Sequence, residues 1–93
     1  MQIGILTIGL RIPEAQSLKD KRQVLESLIA TSRRKFNISI AEIADMDRHH
    51  QATLGVACVA NNRRYVNQVL DNVVNEFENC LTAEVSTIEM EFL

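Results

Sequence analysis

The first twelve residues constrain the fold more than any other stretch. Ile3, Ile5, Leu6, Ile8, Leu10 and Ile12 run through them almost without a break. On a two-residue period, Leu6, Ile8, Leu10 and Ile12 share one face, and Ile3, Ile5 and Thr7 share the other. A strand that is apolar on both faces belongs in the middle of a sheet, with neighbours on either side. Pro13 ends it, because proline has no N–H to give to a ladder.

The rest of the chain has to supply those neighbours and a layer to cover them. A helix is expected from about Leu18 to Lys35. Its apolar stripe holds Leu18, Leu25, Leu28, Ile29 and Phe36, with Lys21 inside the stripe, Arg22 on its flank and Ser32 as a soft spot. Phe36-Asn37 closes it, asparagine being a workable C-terminal residue. Ile38, Ile40 and Ile43 mark a second, more polar strand. Asp45 to Gln51 reads as a hairpin connection, although no Asn-Gly or Asp-Gly sets its turn type. A third strand, Ala52 to Ala60, places Leu54, Val56 and Cys58 on one face and Gly55, Ala57 and Val59 on the other. Its small residues imply close approach of another element. Asn61-Asn62 caps a second helix, in which Val66, Val69, Leu70, Val73, Val74 and Phe77 keep helical spacing without a miss. A last strand runs from about Ala83 to Phe92.

Strand, helix, strand, strand, helix, strand with right-handed crossovers is the ferredoxin-like βαββαβ sandwich, an α+β fold. It has one four-stranded antiparallel sheet with two helices on one face, and residues 1–93 make a single domain. The opposite sheet face has no helix over it. It is expected to be the one holding Ile3, Ile5, Ala57 and Val59, and an uncovered apolar face of this kind suits a homodimer.

Charge is distributed unevenly. Residues 1–64 carry all ten Lys/Arg and six Asp/Glu, a net of +4, while residues 65–93 carry six acids and no Lys/Arg, a net of −6. Such polarity steers charged partners even though the whole chain is only −2. The basic share concentrates around Ser17-Leu18-Lys19-Asp20-Lys21-Arg22. Ser17 and Asp20 have the spacing of a helix N-terminus, while Lys19, Lys21 and Arg22 oppose the helix dipole. Free N–H groups with Ser17, Lys19, Lys21, Arg22 and Arg33 make a candidate surface for phosphate or carboxylate, RNA included. The competing reading gives Lys21 a structural role, its stem on the core and its ammonium paired with Glu42 or Asp47 near the end of the sheet. Lys19, Arg22 and Arg33 would then be a solvated flank.

Several other chemistries fit poorly. RNA-binding domains of this topology stack bases on aromatics of the central strands. Here Phe36, Tyr65, Phe77 and Phe92 all lie elsewhere, so contact with RNA would be through its phosphates. His49-His50, near Glu42, Asp45 and Asp47, lacks metal-ligand spacing, and adjacent side chains in extended chain point apart. No metal or cofactor is expected. A small phosphate-ester or acyl-phosphate hydrolase needs a glycine-rich anion cradle after strand one, and Ile12 to Ser17 has no glycine. No nucleophile sits beside a base at recognisable spacing, so no catalytic residue is assigned. Cys58 and Cys80 form no ligand pattern and suit a reducing cytoplasm. No signal segment or membrane span is read from the sequence, so a cytoplasmic protein without membrane attachment is expected.

The Ser17-to-Arg22 run resembles the signature of the YlxP-like family, a bacterial group of unknown function. The likeness continues through Arg34-Lys35-Phe36-Asn37, Ser39-Ile40-Ala41-Glu42, Asp47, Gly55-Val56-Ala57 and Asn61. His49-His50 departs from the aromatic-containing version of that loop. The resemblance implies a ferredoxin-like fold and genes often found beside those for translation initiation and ribosome maturation. It implies no catalytic residue. The function expected is a non-enzymatic binding module for RNA or a ribosomal particle. The alternative is a structural or regulatory homodimer with a protein partner.

Overall fold

A computed structural model describes residues 1–93. The elements are β1 (Gln2–Arg11), α1 (Leu18–Lys35), β2 (Ser39–Ala44), β3 (Gln51–Ala60), α2 (Arg63–Glu78) and β4 (Glu84–Phe92). One four-stranded sheet has the order β2-β3-β1-β4, antiparallel throughout, so β1 is central as its two apolar faces require. The ferredoxin-like arrangement read from the sequence is the one observed.

Register decides which side chains meet the helices. Leu6 faces Val56 and Met90, Ile8 faces Leu54 and Ile88, and Val56 faces Ile40. Leu6, Ile8, Leu10, Leu54, Val56, Cys58 and Ile40 are buried, together with Val66, Val69, Leu70, Val73 and Phe77 of α2. The two helices therefore share one side of the sheet. Gly4 marks the closest approach of α2, since a Cβ there would lie 2.5 Å from Val66 Cγ1 and 2.8 Å from Leu70 Cδ1. The other face carries Ile3, Ile5 and Ala57, half-buried, and Val59, 50% exposed.

The end of α1 needs correction. α1 does not end through Asn37. Phe36 drops into extended backbone (φ −131°) while its N–H still bonds Ser32 O, so the stop needs no left-handed residue. The small residues of β3 do admit a close neighbour, at Gly55 the side chain of Ile43 from β2. A bulge between Glu42 and Ala44 turns Ile43 over β3, so that a Cβ on Gly55 would lie 3.0 Å from Ile43 Cγ2. No helix is long and apolar enough to cross a membrane.

Candidate functional site

The start of α1 is built as its spacing predicts. Ser17 Oγ accepts from the N–H of Asp20 at 3.1 Å, and the N–H of Gln16 donates to Asp20 Oδ2 at 3.0 Å. These reciprocal bonds occupy one of the orphan donors of the first turn and place a carboxylate at the positive end of the dipole. Lys19 and Arg22 stand outward, exposed and without an ion-pair partner.

Lys21 goes the other way. It is 2% exposed. Its Nζ donates to Glu42 Oε2 at 2.8 Å, to Asp45 O at 2.8 Å and to Gln51 O at 3.1 Å. An ammonium has three donors, and all three are used. A buried charge is tolerable only with partners of this completeness. Lys21 is therefore not available to an external anion, which corrects its inclusion in the anion-binding surface. Asp47 takes no part in the contact and is exposed. The reason lies in the backbone. Asp45 adopts φ 61°, the left-handed region that short acids tolerate, and the turn it starts carries Asp47 away from Lys21.

The connection from Asp45 to His50 is thereby fixed at both ends. Lys21 binds a carbonyl at each end of it. Thr53 Oγ1 donates to Asp45 Oδ2 at 2.7 Å, Arg48 N to Asp45 O at 3.1 Å, and Ile12 N to His50 O at 2.8 Å. Because the chain bends here, the His49 and His50 rings do not diverge as extended residues would. Their centroids are 4.1 Å apart, edge to face at 63°. Of the three carboxylates that invited a metal reading, Glu42 is engaged by Lys21 and Asp45 by Thr53 while Asp47 is exposed on the turn, and no three His, Cys, Asp or Glu side chains gather to hold an ion.

Beside this connection lies a cleft of about 510 Å³, lined by Arg11, Arg48, His49, His50 and Gln51. Arg48 Nη1 donates to Gln51 Oε1 at 2.7 Å, which orients the guanidinium. Arg11, Arg48 and Gln51 were not singled out in the sequence, because Arg11 lies 37 residues before Arg48 and nothing local joins it to the Arg48-to-Gln51 turn. Only the β1–β3 register, which pairs Arg11 with Gln51, brings them together.

Arg33 belongs to the far end of α1 and donates from Nη2 to Ile40 O at 3.0 Å, which ties helix to strand. The open sheet face carries no aromatic side chain. Phe36 and Phe92 pack partly against the core, Phe77 is buried within it, and Tyr65 is exposed on α2. Arg63 lies over the Phe92 ring at 4.5 Å. Cys58 is buried, and that burial pushes its thiol above the usual range.

Comparison with known proteins agrees with both fold and resemblance. The chain is 35% identical over 72 residues to "Uncharacterized protein YlxP" of Bacillus subtilis (strain 168), covering 77% of this chain and 78% of that one. Two de novo designed proteins share the architecture at the level of the backbone. Foldit4 matches with a TM-score of 0.55 at 10% identity, covering 98% of this chain and 96% of that one. LFR1 1, a ferredoxin-fold design, matches at 0.53 and 9%, covering 100% and 83%. Residues 3–90 match the model of the family described as "Protein of unknown function (DUF503)". The resemblance carried by Ser17 to Arg22 is thus borne out, and the chain belongs to the DUF503 family.

Proposed function

We propose that the protein is a cytoplasmic, non-enzymatic binding module that contacts the phosphates of RNA, free or in a ribosomal particle, through the start of α1. The observation that carries this reading is the division of labour within one helical turn. Lys21 is withdrawn into the fold, while Lys19 and Arg22 are left exposed with no carboxylate partner. Only Lys21 and Lys35 of the ten Lys/Arg are ion-paired within the chain, so the basic half of the sequence keeps most of its charge for an external partner.

Co-sedimentation with ribosomal particles at low and moderate salt tests it, with the Lys19→Ala/Arg22→Ala double variant alongside. The wild type is expected to travel with a particle and release steeply with salt, and the double variant to stay behind. If both stay behind in every condition, the reading fails.

A second reading concerns self-association through the open sheet face. It is favoured by a shallow depression of about 290 Å³ there, between Ile5, Ile43, Gly55 and Ala57, and by Ile43 being 52% exposed. Sedimentation equilibrium of the wild type and of Ala57→Glu checks it. The expected result is a dimer that the substitution splits.

A further inference from the structure

We propose that the cleft between Arg11 and the His49-His50 turn is a binding site for a phosphate monoester group. This goes beyond contact through Lys19 and Arg22, and depends on none of the same side chains. The cleft has the volume of a small-ligand site, roughly 300–1,000 Å³ in known proteins, yet those sites are mostly apolar. This one, at about 510 Å³, has no hydrophobic residue in its lining. Charged and polar side chains supply its whole lining, and they fix the sign of the charge it would hold. Two guanidiniums are permanently charged. Two imidazoles each keep at least one N–H donor in every protonation state.

None of the four is ion-paired inside the protein. Glu84 stands opposite Arg11 in the β1–β4 register, and Asp45 and Asp47 lie on the same turn as Arg48, yet no ion pair forms with any of them. Asp45 is turned onto Thr53, and Gln51 holds Arg48 by a single N–H, which leaves the rest of its fork free. A planar fork of donors suits the oxygens of a phosphate, and a terminal phosphate offers more charge and one more free oxygen than a backbone diester.

Preorganisation is the second part of the argument. A loop that must be ordered on binding costs affinity. Here the ordering is done in advance, because Lys21 binds the carbonyls of Asp45 and Gln51, and Ile12 N binds that of His50. Lys21 thus acts as a positioning residue beneath the cleft and touches no ligand itself.

The test is NMR titration of the intact, isotope-labelled protein at fixed pH and salt. The probes are inorganic phosphate, a 5′-phosphorylated oligoribonucleotide and the same oligonucleotide with a 5′-hydroxyl. Phosphate and the phosphorylated oligonucleotide are expected to shift the amides of residue 11 and residues 48–51. R11Q and R48Q should each weaken that binding about tenfold or more, as loss of a charge-assisted pair implies. R64Q, the same charge change on α2, should leave it unaltered. Equal affinity for the two phosphorylated probes identifies a free phosphate compound as the source, and tighter oligonucleotide binding identifies an RNA end. The proposal is overturned if neither probe shifts these amides, if the 5′-hydroxyl oligonucleotide shifts them equally well, or if R64Q weakens binding as much as R48Q. Each of these results leaves the Lys19/Arg22 co-sedimentation experiment to be judged separately.

Discussion

α1 and α2 lie side by side on the same sheet, with similar lengths and an N-cap side chain each that accepts one backbone N–H, and they bury different things. The inner face of α2 is Val66, Val69, Leu70, Val73 and Phe77. The fully buried residues of α1 are Lys21, Leu25 and Ser32, with Leu28 and Ile29 only half covered and Leu18 37% exposed. α2 is held by apolar area. α1 is held in part by one ammonium reaching across the end of the sheet, and in part by exposed links such as Lys35 to Glu76 at 2.7 Å. An ion pair that is half exposed adds little. The contrast locates the structural duty of the fold in α2 and leaves α1 to shape and charge the end where Asp45 to His50 lies.

The sharpest way to break that contrast is to truncate α2. Phe77→Ala is expected to cost about 3–5 kcal/mol in chemical denaturation, the range for removing a buried phenyl group. Lys21→Met should cost less, about 2–3 kcal/mol. It leaves Glu42 and two carbonyls without their donor, but Glu42 is 26% exposed and can recover water. Hydrogen exchange then distinguishes the two, because K21M should expose amides of residues 45–51 while those of α2 stay protected. Equal loss of protection in both regions would show that the two helices do not differ in the way described.

Gly4→Ala probes the α2 contact from the sheet. Pushing a methyl group against Val66 and Leu70 should destabilise by about 1–3 kcal/mol through overpacking. The caps set the baseline. Ser17 and Asn62 each accept one backbone N–H at 3.1 Å, so Ser17→Ala and Asn62→Ala should cost about 1 kcal/mol apiece. Unequal cap losses would mean that the helices differ at their ends as well as on their inner faces. The smallest effect concerns the thiols. Half-buried Cys80 should react with an alkylating reagent in the native protein, while Cys58, opposite Gly4 and buried, should react only on unfolding, including in K21M.

The fold was legible because its strongest signals are local. The stripe of α2 has no error, and β1 is apolar on both faces, which already makes it central. Lys21 was legible as well, since a cation inside an apolar stripe must either snorkel or find a partner. Which partner was not legible. Glu42 and Asp47 were equivalent candidates until the bulge at Ile43 and the left-handed Asp45 set the path of the chain, and neither feature has a distinctive residue to announce it. The two histidines were misread for the same reason, since parity arguments assume a straight chain and this one bends. The cleft was out of reach because it is a product of strand register. Arg11 and Arg48 become neighbours only when β1 and β3 are paired.

The Lys21 contact also meters the chain. Surface connections usually accept extra residues at small cost, since closing a somewhat longer loop changes its entropy little. The segment from Asp45 to Gln51 is different, because one nitrogen atom grips a carbonyl at each end of it. An inserted residue would have to bulge outward without moving either carbonyl, or else release one of them. Among proteins of this shape, this connection should therefore keep its length while its side chains change. A graft that alters what the turn displays should succeed where one that alters its span does not.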